Sequence, residues 1–199
     1  MTSSPGTRYS LLVRIQDPQN QAAWGEFLSI YEPLVYRLAR RRGLQDADAQ
    51  DLCQEVFRSV AKAAHKWTPD PARGSFRSWL FRIAQNLLVN HLRGKRRHVQ
   101  GSGDSGMVQV LEGQSEETDE YWREVDEEHR RSLFAVAAKA IEGEFTRTTW
   151  QAFWLTAVEA RPVAAVCKEL SLTAGAVYIA RSRVLARLRK KVGELEGKE

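Results

Sequence analysis

Cysteine is scarce in this sequence, and so are the patterns that mark a catalyst or a membrane protein. Two cysteines, Cys53 and Cys167, in 199 residues exclude a disulfide scaffold and a Cys-rich zinc module, and they suit a reducing compartment. The four histidines, His65, His91, His98 and His129, lie scattered without the spacing of a metal-binding helix, so no metal and no other cofactor is expected. A Gly-rich phosphate loop, a Gly-x-Ser-x-Gly elbow and a Cys/His nucleophile pairing are all missing. That leaves no catalytic residue to nominate and no small-molecule substrate to expect. No apolar run approaches the roughly 20 residues of a membrane span. The opening Met1-Thr2-Ser3-Ser4-Pro5-Gly6 lacks the charged head and apolar stretch of a signal peptide, so a cytoplasmic location without a membrane partner is expected. Strand patterns, meaning β-branched alternation bounded by turn dipeptides, are nearly absent as well.

What is present is charge, and it is segregated. Thirty Lys+Arg against 25 Asp+Glu give a net of +5. Residues 1–98 hold 16 basic and 8 acidic side chains, residues 99–128 hold one basic and 10 acidic, and residues 129–199 hold 13 basic and 7 acidic. Two basic blocks around an acidic strip outline two polyanion-binding domains, with solvated Arg-rich helix faces as the plain alternative. The Gly/Ser-rich stretch from Gln100 to Gly106 has no apolar periodicity and reads as linker. The expected architecture is all-α: two small helical domains, 8–98 and 121–193, joined by an acidic flexible linker over 99–120.

Helical periodicity fills both domains. Asp17-Pro18 is expected to open the first sizeable helix, Pro33 to interrupt or restart it, and Gly43 to stop it. A second helix starts at Asp46-Ala47-Asp48, where acidic side chains complement the helix dipole. Leu52, Val56, Val60 and Ala63 face inward, and Asp51, Gln54, Glu55 and Arg58 share the opposite face. Two prolines and a glycine between Thr68 and Gly74 exclude continuous helix there. A long helix follows from about Ser75 to Arg97. Further helices are expected at about 122–143, 146–160, 162–170 and 173–193.

Three patterns could carry function. The turn Ser171-Leu172-Thr173 joins a short helix, with Val163, Val166 and Leu170 inside, to a second whose inward positions are Val177, Ala180, Val184 and Leu188. That is a helix-turn-helix layout, with 173–188 as recognition helix and Arg181, Arg183, Arg187, Arg189, Lys190 and Lys191 as a basic tail for phosphates. An ordinary helical hairpin shares the pattern. The helix at 75–97 combines Phe76, Trp79 and Phe81 with Arg77, Arg82, Gln85, Asn86, Asn90 and Arg93, the cations, amides and stacking surfaces that single-stranded DNA binding uses. Phe76 and Trp79 also lie on the core stripe, where packing is the alternative reading, more so for Phe76 than for Trp79. The carboxylates beside Gln54 and Arg58 make either a solvated face or a partner-binding face; no His or phosphate loop nearby turns them into a catalytic site.

The residues also match a family. The run Asp48-Ala-Gln-Asp51-Leu-Cys-Gln54-Glu55-Val-Phe57 resembles the Asp-Ala-Glu-Asp-Leu-x-Gln-Glu-x-Phe segment of bacterial RNA polymerase sigma factors of the extracytoplasmic-function (ECF) group. Phe76-Arg-Ser-Trp79-Leu-Phe-Arg82-Ile83-Ala84-Gln-Asn86 and the following Asn90 and Arg93 are similar to that group's next helix. The resemblance implies region 2 over 8–98 and a region 4 helix-turn-helix over 121–193. It implies core RNA polymerase and promoter DNA as partners, often with an anti-sigma protein, and no enzymatic activity of the chain's own. Asp48, Asp51, Gln54, Glu55 and Arg58 would meet the coiled coil of the largest polymerase subunit. Arg77, Trp79, Arg82, Gln85, Asn86, Asn90 and Arg93 would recognise and help melt the minus-ten element. Asp70, Arg73 and Ser75 would hold a base flipped out of the non-template strand. Thr173, Ala174, Gly175, Ala176, Tyr178, Arg181 and Arg183 would read the minus-thirty-five element, with Arg181 suited to a bidentate guanine contact. The acidic linker falls where the family's connector runs near the RNA exit route, where its charge would mimic nucleic acid.

The sequence departs from the family pattern at several points. Asn90 stands where the family usually has Asp, and Gln50 where it has Glu. Tyr178 and Ala180 replace the Lys or Arg of many members, and the run from Val177 to Arg189 resembles a divergent planctomycete-type subgroup. The alternative function is a helix-turn-helix regulator acting on duplex DNA without polymerase, and a nucleic-acid enzyme is a remoter third. The 48–58 face and the aromatic–amide helix separate the first two, since a simple regulator needs neither.

Overall fold

The computed structural model describes residues 7–68, 75–99 and 119–197, with residues 93–99 and 119 described by their backbone alone. The described residues form eight α-helices and no strand: α1 (Tyr9–Arg14), α2 (Gln21–Arg41), α3 (Asp46–Ala63), α4 (Phe76–Val99), α5 (Asp119–Ile141), α6 (Arg147–Phe153), α7 (Val163–Leu170) and α8 (Ala174–Glu196). The chain divides into two compact units, Met1–Ser132 and Leu133–Glu199. The division falls inside α5, whose two halves are described with the unit each belongs to.

In the first unit, α2 supplies the central stripe. Ala23, Phe27, Ile30, Tyr31, Leu34, Val35, Leu38 and Ala39 are all buried, at the three- and four-residue steps of one helix face. The helix opens at Gln21 rather than at Asp17-Pro18. The Asp17 carboxylate instead accepts the Gln19 N–H at 2.9 Å, and Asn20 caps α2 by accepting from the Ala23 N–H at 3.0 Å. Pro33 does not interrupt α2. Proline inside a helix costs about 3 kcal/mol. Here Ile30, Tyr31, Leu34 and Val35 bury around it on one face, and that burial outweighs the lost bond. Gly43 ends the element as expected, with a left-handed φ of 85°.

Phe76, the first residue of α4, is the aromatic hub: its ring packs edge-on to Phe27 and Trp67 at 5.8 and 5.1 Å and lies 5.2 Å from Trp79. Both Phe76 and Phe81 are buried, so their role is packing. Cys53 is buried with its thiol pushed up to about 12 by desolvation; it is an inert core thiol, since only the thiolate reacts.

The second unit is built on Leu133, Ala137 and Ile141 of α5, Ala152 and Phe153 of α6, Val166 of α7, and Val177, Ala180 and Val184 of α8, all buried. Beyond α6 the chain widens into a π-helical turn over Trp154–Val158, where the buried Thr156 hydroxyl donates to the Ala152 carbonyl at 2.6 Å. Among the described residues, no single helix is long and apolar enough to cross a membrane.

Candidate nucleic-acid interface

The turn between α7 and α8 has the local chemistry its sequence calls for. Ser171 adopts a left-handed φ of 54° after α7, and the Leu172 N–H closes back on the Cys167 carbonyl at 3.0 Å. Thr173 then caps α8 by accepting the Ala176 N–H at 3.2 Å. The two helices turn through 101°, within the helix-turn-helix range. Val166, Val177 and Ala180 with Ala152 form a small core that fixes this angle.

That core sets which part of α8 faces water. Thr173, Ala174, Gly175, Tyr178, Ser182 and Arg183 are exposed, and Ala176 and Arg181 are half-buried at the margin. Ile179, absent from the expected contact set, is 61% exposed, and Tyr178 beside it is 57% exposed. The core stripe 177–180–184–188 already placed residue 179 off the packed face, so the sequence held the signal. The basic tail is only partly available. Arg187 donates to both Glu144 carboxylate oxygens at 2.6 and 2.7 Å, and the Lys191 ammonium donates to Glu194 at 3.0 Å. These two therefore brace the unit, whereas Arg189 and Lys190 are exposed.

On the first unit, Asp51, Gln54, Glu55 and Arg58 stand exposed on one face of α3, with the Arg58 guanidinium donating to the Gln54 amide oxygen at 2.8 Å. Asp48 sits apart from them, half-buried, with its carboxylate 3.5 Å from His91 Nε2. Along α4, Arg82, Asn86 and Asn90 form an exposed row at four-residue steps, bordered by the half-buried Trp79. Ser75 caps this helix, its hydroxyl accepting the Ser78 N–H at 3.1 Å. Asp70 and Arg73 lie outside the described residues, as does the side chain of Arg93.

Arg77 and Gln85 are not on that row. Arg77, expected to point outward, is only 7% exposed. Its guanidinium pairs with Asp126 of α5 at 2.6 Å and contacts His129 Nδ1 at 3.3 Å. Gln85 lines a groove of about 710 Å³ between α2, α3, α4 and the first half of α5, among Leu38, Leu52, Phe81 and Tyr121.

The reason is the acidic half-helix itself. Val125, Glu128, His129 and Ser132 recur at three- and four-residue steps and are buried against the first unit. The fully buried Glu128 carboxylate accepts from Arg37, from Arg41 at 2.6 Å and from Arg131 on its own helix. Glu124 pairs with Arg41 and Arg42 at 3.1 and 2.8 Å, and Arg37 also donates to the Ser132 hydroxyl at 2.6 Å. His129 stacks on Tyr31 with ring centres 5.3 Å apart. Burial, reinforced by the Arg77 cation, pushes His129 down to about 4, so it is neutral near pH 7. The end of the acidic strip thus neutralises part of the basic surface of the unit it packs on. Residues 100–118 of the strip lie outside the described residues. Among the described residues, no group of three or more His, Cys, Asp or Glu side chains is placed to hold a metal ion.

Residues 27–98, within the first unit, match the family described as Sigma-70 region 2. Three similar proteins are RNA polymerase sigma factors. One is an ECF RNA polymerase sigma factor, RpoE, of Cereibacter sphaeroides, 31% identical over 88 residues, which are 44% of this chain and 48% of that protein. Another is an ECF RNA polymerase sigma factor, SigE, of Mycolicibacterium smegmatis, 35% identical over 81 residues, 41% of this chain and 30% of that protein. A third is the RNA polymerase sigma factor CnrH of Cupriavidus metallidurans, 28% identical over 168 residues, 82% of this chain and 84% of that protein. The chain thus spans about half or less of the length of the first two relatives.

Proposed function

We propose that this chain is an RNA polymerase sigma factor of the ECF type, which binds core polymerase and directs promoter recognition, DNA melting and transcription initiation. The observation that carries the reading is the match of residues 27–98 to Sigma-70 region 2, together with a second unit whose α7 and α8 meet at 101° through a Thr173-capped turn. In this reading Asp51, Gln54, Glu55 and Arg58 of α3, with Asp48 behind them, engage the polymerase. Trp79, Arg82, Asn86, Asn90 and Arg93 of α4 face the minus-ten element, and the 68–75 loop, with Asp70, Arg73 and Ser75, receives a flipped base. Residues 173–183 of α8 read the minus-thirty-five element in the major groove. Arg77 is left out of the DNA-facing set because Asp126 and α5 already cover it. The partners are core RNA polymerase and promoter DNA, with an anti-sigma protein as regulator, and the chain contributes binding rather than catalysis. The uncharged Tyr178 and Ala180, within the run from Val177 to Arg189, support placement in a divergent, planctomycete-type subgroup.

The test is co-purification with core RNA polymerase followed by runoff transcription on genomic fragments. Capture of core and new, specific transcripts establish the function and reveal the promoters. Failure to capture core together with retention of duplex DNA transfers the chain to the helix-turn-helix regulators and removes the roles given to α3 and α4.

A further inference from the structure

The exposed pair Tyr178–Ile179 is out of place on a solvated helix. Large apolar side chains more than half exposed and adjacent to each other mark a contact surface. The pair sits in the second turn of α8, the part of a recognition helix that enters a groove. Around it the chain is arranged for a polyanion. No Asp or Glu occurs between Glu169 and Glu194, and Arg183, one turn beyond Ile179, is exposed. One turn before Ile179 is Gly175, whose backbone is ordinary helix. A Cβ placed there would meet nothing nearer than the Thr173 hydroxyl at 3.9 Å, so the fold does not require glycine at this site. A missing side chain that the fold does not need, on the same face as an exposed isoleucine, fits close approach of a flat partner surface.

We propose that α8 reads thymine methyl groups in the major groove, with Ile179 as the specificity-determining residue and Tyr178 beside it. The C5-methyl of thymine is the apolar feature that the groove edge displays, and apolar side chains recognise it. Arg183 supplies the phosphate or base contact that holds the helix in register. This inference rests on the DNA-binding role proposed above for the second unit. It makes the upstream element thymine-rich on the strand that Ile179 faces.

The experiment selects duplexes from a random pool with the full-length chain, alone and assembled on core RNA polymerase. The selected duplex is then remade with deoxyuracil in place of thymine, which removes only the methyl group. Enrichment of adjacent thymines is expected, with a loss of about fourfold in affinity for each methyl removed. Ile179→Ser should abolish this discrimination and Ile179→Val retain most of it, both with unchanged thermal unfolding because the site is exposed. Arg183→Ala should instead weaken binding to all duplexes. A selected duplex that binds equally with deoxyuracil overturns the proposal while the sigma-factor reading stands on capture of core. If Ile179→Ser leaves DNA selection intact but reduces capture of core, the pair is a protein-docking face and the proposal is again overturned. Failure to retain any duplex in either setting overturns it together with the DNA-reading role of α8, and failure to capture core is a separate result that bears on the sigma-factor reading alone.

Discussion

Glu128 shows how much one buried charge depends on its partners. Its carboxylate is fully buried, while Arg37 and Arg41 remain 35% and 39% exposed. Removing one member of a fully buried pair costs about 3–5 kcal/mol, but water can resolvate these half-exposed arginines and the loss is smaller. Glu128→Ala is expected to destabilise the first unit by about 2 kcal/mol in denaturant unfolding, and Glu128→Gln by less, because the amide oxygen still accepts. His129, the next residue, links stability to pH. Its folded-state value, about 4, lies below the ordinary 6.5, so the unfolded chain takes up the proton first as pH falls. Its contribution is therefore complete above pH 6.5 and is lost progressively between pH 6.5 and 4. At pH 5 the loss reaches about 2 kcal/mol. Thermal unfolding against pH should show this fall, and His129→Phe, which keeps a ring on Tyr31, should flatten it. A slope unchanged in that variant would assign the effect to other groups.

Among the elements, α8 separates folding from function most cleanly. Its inner face, Val177, Ala180, Val184 and Leu188, is buried, and its outer face in the first two turns carries small or apolar side chains. Gly175 belongs to the outer face and has open space around it. Gly175→Ala is expected to raise the stability of the second unit by about 0.5–1 kcal/mol, since glycine in a helix is entropically costly. The same change should weaken duplex binding by placing a methyl between helix and groove. A calorimetric scan and a titration with the selected duplex together read both effects; a gain in both would remove close approach as the reason for the glycine. On α2, Pro33 teaches the complementary lesson. Its local penalty is real, yet the helix continues because the residues on either side are committed to the core.

For the whole molecule, the charge segregation in the sequence becomes two different devices. Arg37, Arg41, Arg42 and Arg77 are met by Glu124, Asp126 and Glu128, so those cations serve the architecture of the first unit. Among the described residues, Asp51, Glu55 and Arg58 of α3 and Arg183, Arg189 and Lys190 of α8 stand exposed instead. On the proposed function, Glu55→Arg should abolish retention of core RNA polymerase while leaving the unfolding midpoint unchanged, because the side chain is exposed. Retention unaffected by that reversal would return the α3 face to plain solvation.

The all-α class, the sharp turn between α7 and α8 and the exposed face of Asp51, Gln54, Glu55 and Arg58 on α3 were legible from the sequence alone. Each is written in neighbouring residues three or four apart, and helices are local objects. The caps at Thr173 and Gly43 were legible for the same reason. Only the tertiary structure decided that Pro33 lies inside a continuous helix, that Arg77 turns inward, and that the end of the acidic strip is a packed half-helix. Those outcomes hang on pairs such as Arg37 and Glu128, separated by 91 residues. No periodicity reports which distant carboxylate will reach a given arginine, because burial and charge pairing are settled only when the chain has folded back on itself.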